Sequence, residues 1–433
     1  MSVQAATVER GKAVGRQRSL ELTGTWLLSG AMAAAGLLAY AFHILAARAL
    51  TTDEYGQVAA FWAALFITVV VLFRPLEQTA SRSVADRLAR GEEAATVLRV
   101  VVLVYLGLLV VVGVAAALAW GPVTRKLFEG SSFMTAMLVV GVAGYGVQYL
   151  GRGVLGGLRR FHALSGIHIG DGTVRLLVAL PLLAVASKDI AAAALAAAGI
   201  GGAIVPLWRS RMSIAALRGG PVGEHFSLPA ALRFAAPASV IAGSDQLLVN
   251  GAPLLVILAG GKDATKAAAV VFAATMLVRV PVFLFSGVAG SFLPNLARLN
   301  AEADHRRFAA TVTRVCLTFA AATVVFTAGA AIAGPTAMRV LYGPDYTASA
   351  RDLALLGFGA GCYLAAGTIS QALLALARAS TAAVAWATAA VVFVVVEVVA
   401  TGSELHRVSL AIAIAMALDT ILLALVFVRR VRH

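Results

Sequence analysis

The stretch RPLEQTASRSVADRLARGEEAATVLRV, residues 74–100, organises the rest of the chain because part of it occurs twice. Its last seven residues, AATVLRV at 94–100, return as AATVTRV at 309–315, with six identical positions. A Gly-Pro pair follows each copy, beginning at Gly121 and at Gly334. Spacings of 215 and 213 residues indicate a duplicated unit of about half the chain. Such a unit is too long for a solenoid repeat, so each copy is predicted to be a whole bundle.

The composition is that of a membrane protein. Hydrophobic residues make up 60% of the 433-residue chain, charged residues only 13%, and the mean hydropathy is +0.89. Apolar runs of membrane-spanning length recur from end to end. In lipid such runs must be helical, because their backbone groups find no water to bond. The sequence therefore predicts an all-α polytopic membrane protein with about 12 transmembrane helices.

Charge and cysteine usage exclude other classes of function. The net charge of +14 comes from Lys and Arg in short connectors between apolar runs, a pattern that orients membrane helices and does not indicate nucleic-acid binding. Cys316 and Cys362 lie inside apolar runs, where we expect small core residues and not a disulfide. No metal site, cofactor or catalytic residue is predicted.

The apolar segments are predicted to form six helices in each half. They cover residues 22–46, 56–73, 98–120, 133–157, 163–186 and 190–208, then 230–258, 267–292, 308–333, 351–377, 381–400 and 405–428. The predicted organisation is a cytoplasmic tail (1–21), a first six-helix bundle (22–208), a basic cytoplasmic linker (209–229), a second bundle (230–428) and a short cytoplasmic tail (429–433).

The distribution of Lys and Arg predicts the orientation. Of 35 basic residues, 24 fall in one alternating set of segments and 9 in the other, while Arg175 and Arg279 lie inside helices. The richer set is expected in the cytoplasm, which places both termini there. Because each half has an even number of helices, the two copies are expected to be parallel, related by an axis along the membrane normal.

The connector after the second helix is predicted to be an amphipathic helix on the cytoplasmic face. Arg82, Asp86 and Arg90 fall at spacings of four residues and can pair along one side. Val84 and Leu88 would then face the lipid. This arrangement indicates membrane anchoring and no substrate site.

Ionisable residues at membrane depth are costly, so each one needs a reason. Polar residues follow helix 4 and helix 5 at spacings of three and four, and a short turn lets the two stripes face each other. These residues are Tyr145, Gln148 and Arg152 on helix 4, and His168, Asp171 and Arg175 on helix 5. They predict either an internal network that holds the first bundle together or a cavity wall with spare positive charge.

The second half carries another group of polar residues at membrane depth. Arg279 lies near the middle of helix 8 and Asp245 near the middle of helix 7, where Gln246 and Asn250 continue a polar face. The equivalent positions of the first half are Gly30 and Ala64, so the duplication does not impose these charges. Two interpretations remain open: a buried Asp245–Arg279 pair, and a mid-membrane anion site.

Two short motifs resemble one family. RALTTDEYG at 48–56 follows the first helix, and LYGPDY at 341–346 precedes the tenth. With two parallel six-helix bundles and a basic connector after helix 2, they resemble the polysaccharide (Wzx-type) flippases of the multidrug/oligosaccharidyl-lipid/polysaccharide exporter superfamily. The resemblance extends over essentially the whole chain.

The resemblance implies a V-shaped pair of bundles around a cavity lined by helices 1, 2, 7 and 8. The implied substrate is an undecaprenyl- or decaprenyl-linked glycan, moved to the outer leaflet of a bacterial cytoplasmic membrane. Cavities of this family are typically cationic; Arg279 fits that pattern, with Arg74 at the cytoplasmic rim. Residues 22–47, however, contain no Lys or Arg. We expect a monomer, with glycosyltransferases or a polymerase of the same pathway as partners.

Two other functions remain open on the residues alone. A cation-coupled multidrug exporter of the same fold would need carboxylates in the first bundle; helix 1 has none, and Arg175 opposes protonation of Asp171. A scaffold for glycan assembly that transports nothing also fits the sequence. A membrane glycosyltransferase is disfavoured, since the outer connectors are short and Asp53 and Asp345 are isolated.

Overall fold

The computed structural model describes residues 2–219, 221, 228–261, 263–279, 296, 299, 304–376 and 378–431. Within these ranges the regular structure is entirely helical. Among these residues, ten helices are long and apolar enough to cross a membrane, and one further pair of helices meets the same criterion when taken together. The predicted all-α polytopic membrane fold is thereby confirmed.

The first half contains six long helices in the predicted order. Their bounds are α1 Ser2–Ala49, α2 Thr52–Ala89, α3 Ala95–Leu127, α4 Ser132–Gly157, α5 Phe161–Ala179 and α6 Lys188–Ala215. Residues 2–21, predicted as a cytoplasmic tail, are helical and continue the first helix before its predicted start at residue 22. The sixth helix continues past its predicted end at 208 into the segment predicted as a linker.

The second half contains seven helices within the described residues. Their bounds are α7 Leu228–Asn250, α8 Ala252–Ala259, α9 Ala264–Val278, α10 His305–Tyr342, α11 Ala350–Ala375, α12 Ala379–Val399 and α13 Glu404–Val431. The predicted seventh helix, 230–258, corresponds to α7 and α8. The predicted eighth helix corresponds to α9 in its first part, and residues 280–292 of that prediction lie outside the described residues.

The break between α7 and α8 has a local cause. Pro253 has no N–H to bond the carbonyl of Val249, and its ring crowds that turn. Gly251 lies so close to the preceding turn that a Cβ there would collide with the Leu247 carbonyl oxygen. The two helices meet at this break at 66°. The sequence predicts one helix over 230–258, with Pro253 as a place where it can bend.

The connector after α2 differs from its prediction. α2 continues through Pro75 to Ala89 as one helix, and Val84, expected to face lipid, is fully buried. Val84 packs against Gly157 of α4, where the missing side chain leaves room for α2. Leu88 is exposed as predicted, and Arg90 pairs with Asp86 at 2.6 Å.

The same helix pairings occur in both halves. α1 packs on α5, α3 on α4, α4 on α6 and α5 on α6. In the second half α7 packs on α12, α10 on α11, α11 on α13 and α12 on α13. Both α3 and α10 contain the proline of their Gly-Pro pair near the C-terminal end. This repetition is the packing that a duplicated bundle requires.

The two halves meet along α2, which packs against α7 and α9. We call this interface the seam. At one end of the molecule, formed by the α1–α2, α8–α9 and α10–α11 turns, hydrogen bonds cross between the halves; we call it the closed end. There Arg48 donates to the carbonyl oxygens of Val340 and Leu341, and the Thr265 hydroxyl donates to Asp53 at 3.0 Å.

Candidate functional site

Polar side chains follow the seam through the depth of the membrane. Arg74 is exposed on α2, while Asp245 and Gln246 are partly buried on α7. Asn250 is buried at the end of α7, and Arg279 follows α9. All five residues predicted to bind substrate therefore lie on or beside the helices that form the seam.

Four of these residues form one chain of hydrogen bonds. Nη1 of Arg279 donates to Oδ1 of Asn250 at 3.2 Å, and Nδ2 of Asn250 donates to Oε1 of Gln246 at 2.8 Å. Nε2 of Gln246 donates to Oδ2 of Asp245 at 3.3 Å, and the Tyr363 hydroxyl donates to Oδ1 of Asp245 at 2.7 Å. Each hydrogen bond in this chain is donated from the Arg279 side toward Asp245, so each bond polarises the next.

The direct Asp245–Arg279 ion pair, one of the two predicted arrangements, is not formed. Asp245 and Asn250 are five residues apart on α7, about 7.5 Å along its axis, and Arg279 lies level with Asn250. Among the described residues no carboxylate lies within salt-bridge distance of Arg279. Within the part of the chain that the structure describes, the guanidinium is held by a neutral amide and has no opposite charge at short range.

Arg74 acts on the same carboxylate from the other direction. It lies close enough to Asp245 and Tyr363 for its charge to interact with both. It is 22 residues from the start of α2, about 33 Å along a helix, which is roughly the thickness of the hydrocarbon core. Arg74 therefore lies about one hydrocarbon thickness along α2 from the closed end, and its place at the cytoplasmic rim stays a prediction.

Trp62 connects the seam to the first bundle, and the sequence interpretation missed it. Its Nε1 donates to Oδ1 of Asn250 at 3.3 Å, and the guanidinium of Arg175 lies over its ring at 5.1 Å. His43 and Phe66 pack against the same ring. A tryptophan in the middle of an apolar helix was the available signal, because a buried indole N–H needs an acceptor.

The predicted network of helices 4 and 5 forms in part. Arg175, 2% exposed, donates to Asp171 at 2.5 Å and to the Tyr145 hydroxyl at 3.1 Å. Tyr145 in turn donates to Asp171 at 2.7 Å. These three residues bond one another inside the first bundle and form an internal network. The network contacts α2 of the seam through the Trp62 ring under Arg175 and the Phe66 ring beside Tyr145.

The remaining members of the predicted stripes lie elsewhere in the bundle. Arg152 pairs with Glu77 of α2 at 3.0 Å and lies over the Tyr149 ring at 4.4 Å. Gln148 is buried on α4, and His168 is partly buried on α5, close enough to Arg152 to feel its charge. Arg152 therefore joins α4 to α2, and it lies close enough to Asp171 for the two charges to interact.

Asp419 of α13 is a further acidic residue inside the second bundle. Its side chain is fully buried, and neither carboxylate oxygen has a hydrogen-bond partner among the residues described. It lies close enough to Asp245 for the two carboxylates to interact. The second bundle thus contains two neighbouring acids at membrane depth, where an uncompensated charge is expensive.

Comparison with known sequences gives relatives without a stated activity. No protein-family model matches the chain. It is 27% identical over 398 residues to "Uncharacterized protein Rv3630" of Mycobacterium tuberculosis, covering 89% of this chain and 88% of that protein. It is also 27% identical over 361 residues to "Uncharacterized protein Rv1510" of the same organism, covering 83% and 79%.

Comparison with solved structures identifies the fold. An inward-facing multidrug resistance MATE family transporter of the MOP superfamily matches with a TM-score of 0.71 at 16% identity, over 94% of each chain. An outward-facing one matches with a TM-score of 0.67 at 16% identity, over 94% of this chain and 95% of that one. The eukaryotic MATE transporter AtDTX14 matches at 0.65 and 12% identity, over 95% and 97%. The chain therefore has the fold of these transporters.

Proposed function

We propose that the chain is a transporter that moves a glycan linked to a polyprenyl phosphate or diphosphate from the cytoplasmic to the outer leaflet. One observation carries the proposal: Arg279, deep in the membrane at the seam, is held by a neutral amide. A cation without a carboxylate partner in a medium of low dielectric constant attracts a phosphate far more strongly than it would in water. Arg74, at the far edge of the seam, would meet the same phosphate on entry.

Alternating access fits this arrangement. The protein would sit in a bacterial cytoplasmic (inner) membrane as a monomer with both termini in the cytoplasm, and the closed end would then be the outer end. The substrate would enter from the Arg74 side and leave after the closed end opens. The same fold is found in an inward-facing and in an outward-facing transporter, which supports a motion of this kind. Glycosyltransferases or a polymerase of the same pathway would supply and consume the glycan.

The proposal is tested by removing the charge at residue 279. In proteoliposomes that contain a fluorescent polyprenyl-diphosphate-linked sugar, Arg279→Ala is expected to abolish export at normal protein levels. Loss of one charge-assisted hydrogen bond should weaken binding by about 10- to 150-fold. Arg279→Lys should retain part of the activity, because a point charge still attracts the phosphate. Export is measured as the fraction of fluorophore that reaches the quencher outside.

Arg99→Ala serves as the matched control, because Arg99 is exposed on α3, which lies outside the α2, α7 and α9 interface. It should export like the wild type. Equal export by the Arg279 and Arg99 variants would contradict the proposal. A wild-type protein that binds no lipid-linked sugar and exports nothing in this assay would instead support a non-transporting scaffold.

Cation-coupled export of a small molecule is a second candidate, favoured by the buried pair of acids Asp419 and Asp245. Two neighbouring carboxylates at membrane depth are a natural site for a proton or Na⁺. The same proteoliposomes distinguish the candidates. The second candidate predicts export of a cationic dye that depends on a proton or Na⁺ gradient and is lost in Asp419→Asn. Such export without movement of the lipid-linked sugar would replace the glycan proposal.

A further inference from the structure

Asn250 is the point where the two halves share one hydrogen-bond acceptor. Its Oδ1 accepts from Trp62 of the first half at 3.3 Å and from Arg279 of the second half at 3.2 Å. Its Nδ2 is engaged by Gln246. A carbonyl oxygen offers two lone pairs, so the two donors occupy both.

The partners of Asn250 belong to different halves of the chain. Asn250, Gln246 and Asp245 lie on α7, and Asn250 is its last residue before the 66° bend. Trp62 lies on α2, whose packing partners in the first half are α3, α4 and α6. A relative rotation of the two halves therefore separates Trp62 from Asn250 while the amide chain on α7 stays together. Arg279, which follows α9, remains with the second half.

We infer that Asn250 is a positioning residue that sets when Arg279 releases an anion. The inference rests on the proposed function. While the closed end is sealed, Asn250 divides its acceptor between Trp62 and Arg279, and the guanidinium keeps donors available for a phosphate. When the closed end opens, the Trp62 N–H no longer bonds Asn250, and both lone pairs of Oδ1 of Asn250 accept from Arg279. The amide then competes with the phosphate, and the anion leaves on that side.

A neutral amide suits this role better than the alternatives. A carboxylate at position 250 would pair with Arg279 in both states and leave little attraction for a phosphate. A residue without an acceptor would never compete, so the anion would be held in both states. Asparagine competes weakly in one state and more strongly in the other, and its bond to Gln246 keeps the carboxamide oriented.

Two single variants with opposite expected effects test the inference. Binding of farnesyl diphosphate to the full-length chain in nanodiscs is measured by calorimetry, and export is measured in proteoliposomes. Asn250→Ala removes the competing acceptor, so binding should tighten by about 2- to 10-fold while export slows. Trp62→Phe keeps the ring but removes the N–H. Asn250 then bonds Arg279 alone, whether the closed end is sealed or open, and binding of farnesyl diphosphate should weaken by about the same factor.

Asn250→Asp adds a fixed partner for Arg279 and should weaken binding by about tenfold or more. Trp386→Phe is the matched control, because it removes an equally buried indole N–H that bonds Ser370 at 2.7 Å. It should bind farnesyl diphosphate like the wild type. Asn250→Ala and Trp62→Phe should change the affinity for farnesyl diphosphate in opposite directions. A purely structural defect at either position would not produce this difference.

The inference and the proposed function fail in different ways. If Arg279→Ala abolishes binding while Asn250→Ala and Trp62→Phe both weaken it, or both leave it unchanged, the role of Asn250 is wrong and the proposed function stands. If the wild type binds no farnesyl diphosphate and Arg279→Ala exports normally, both are wrong.

Discussion

The Asp171–Arg175 and Asp86–Arg90 pairs share a helical spacing of four residues but differ in environment. The side chains of the first pair are 18% and 2% exposed, and those of the second are 62% and 51% exposed. Water solvates the exposed charges whether or not they pair, so that pair contributes about 0–1 kcal/mol. Removing one partner of a buried pair leaves an uncompensated charge and costs about 3–5 kcal/mol.

Asp171→Asn is therefore expected to destabilise the protein strongly, because Arg175 would keep its charge inside the first bundle without the carboxylate that neutralises it. Thermal unfolding of the detergent-solubilised protein measures the effect. Asp86→Asn makes the same chemical change in the exposed pair and should shift the midpoint little. Similar shifts for the two variants would mean that the Asp171–Arg175 pair is not the support we describe.

Single residues of the site were predictable to different degrees. The positions of Asp245 and Arg279 at the seam follow from charge in an apolar helix, since such a charge must avoid lipid. The sequence does not predict that two amides separate Asp245 from Arg279. That separation depends on the height at which Arg279, after the end of α9, lies beside α7. The contact between Trp62 and Asn250 joins two halves whose relative placement no local pattern encodes.

At the scale of helices, the approach of α2 to α4 depends on small residues. A Cβ at Gly157 would lie 2.6 Å from the Val84 Cβ and 2.8 Å from the Ser81 carbonyl oxygen. A Cβ at Gly153 would lie 2.7 Å from the Glu77 carbonyl oxygen. The same approach buries Val84 and brings Glu77 to Arg152, so the glycines of α4 also determine one buried ion pair.

Gly157→Ala is expected to destabilise the protein by about 1–3 kcal/mol, because α2 must move away from α4. Gly113→Ala on α3 is the matched control, since no heavy atom lies within 4 Å of a Cβ there. It should be neutral or stabilising by up to about 1 kcal/mol through helix propensity. Unfolding midpoints in detergent compare the two variants, and a Gly157 variant as stable as the Gly113 variant would contradict the close packing.

The helices themselves were largely predictable from length and hydropathy, and their packing was not. Pro253 marked a place where helix 7 could bend, but the 66° angle depends on how α8 packs against α9. The burial of Val84 depends on glycines about 70 residues away in the chain. An amphipathic pattern alone cannot distinguish a lipid-facing surface from a surface covered by another helix.

On the scale of the whole molecule, the closed end controls access in the proposed mechanism. Thr265 of the second half donates to Asp53 of the first, and Lys266 lies 3.6 Å from the same carboxylate. Both contacts must break before the two halves can separate at this end. The duplication visible in the sequence indicated two bundles, but it contained no information about which end of their interface is sealed.

A cross-link across the closed end should stop export. In a chain with Cys316 and Cys362 replaced by Ala, Asp53→Cys with Thr265→Cys should abolish export on oxidation and regain it on reduction. Binding of farnesyl diphosphate should persist, because Arg279 remains in place. Asp352→Cys with His406→Cys is the matched control, since these side chains are 2.7 Å apart within the second half. Undiminished export by the oxidised Asp53–Thr265 variant would refute the proposed exit.

The two halves share a pattern of helix packing but differ in the charges of their interiors. In the first, Asp171 and Arg175 form an ion pair that Tyr145 bonds, whereas in the second Asp245, Asp419 and Arg279 have no salt-bridge partner of opposite charge among the described residues. A bundle with paired charges tolerates few changes in its interior and serves as the frame. An unbalanced bundle can gain or lose a charge at lower cost, so selection for a new cargo is expected to act first on the second half.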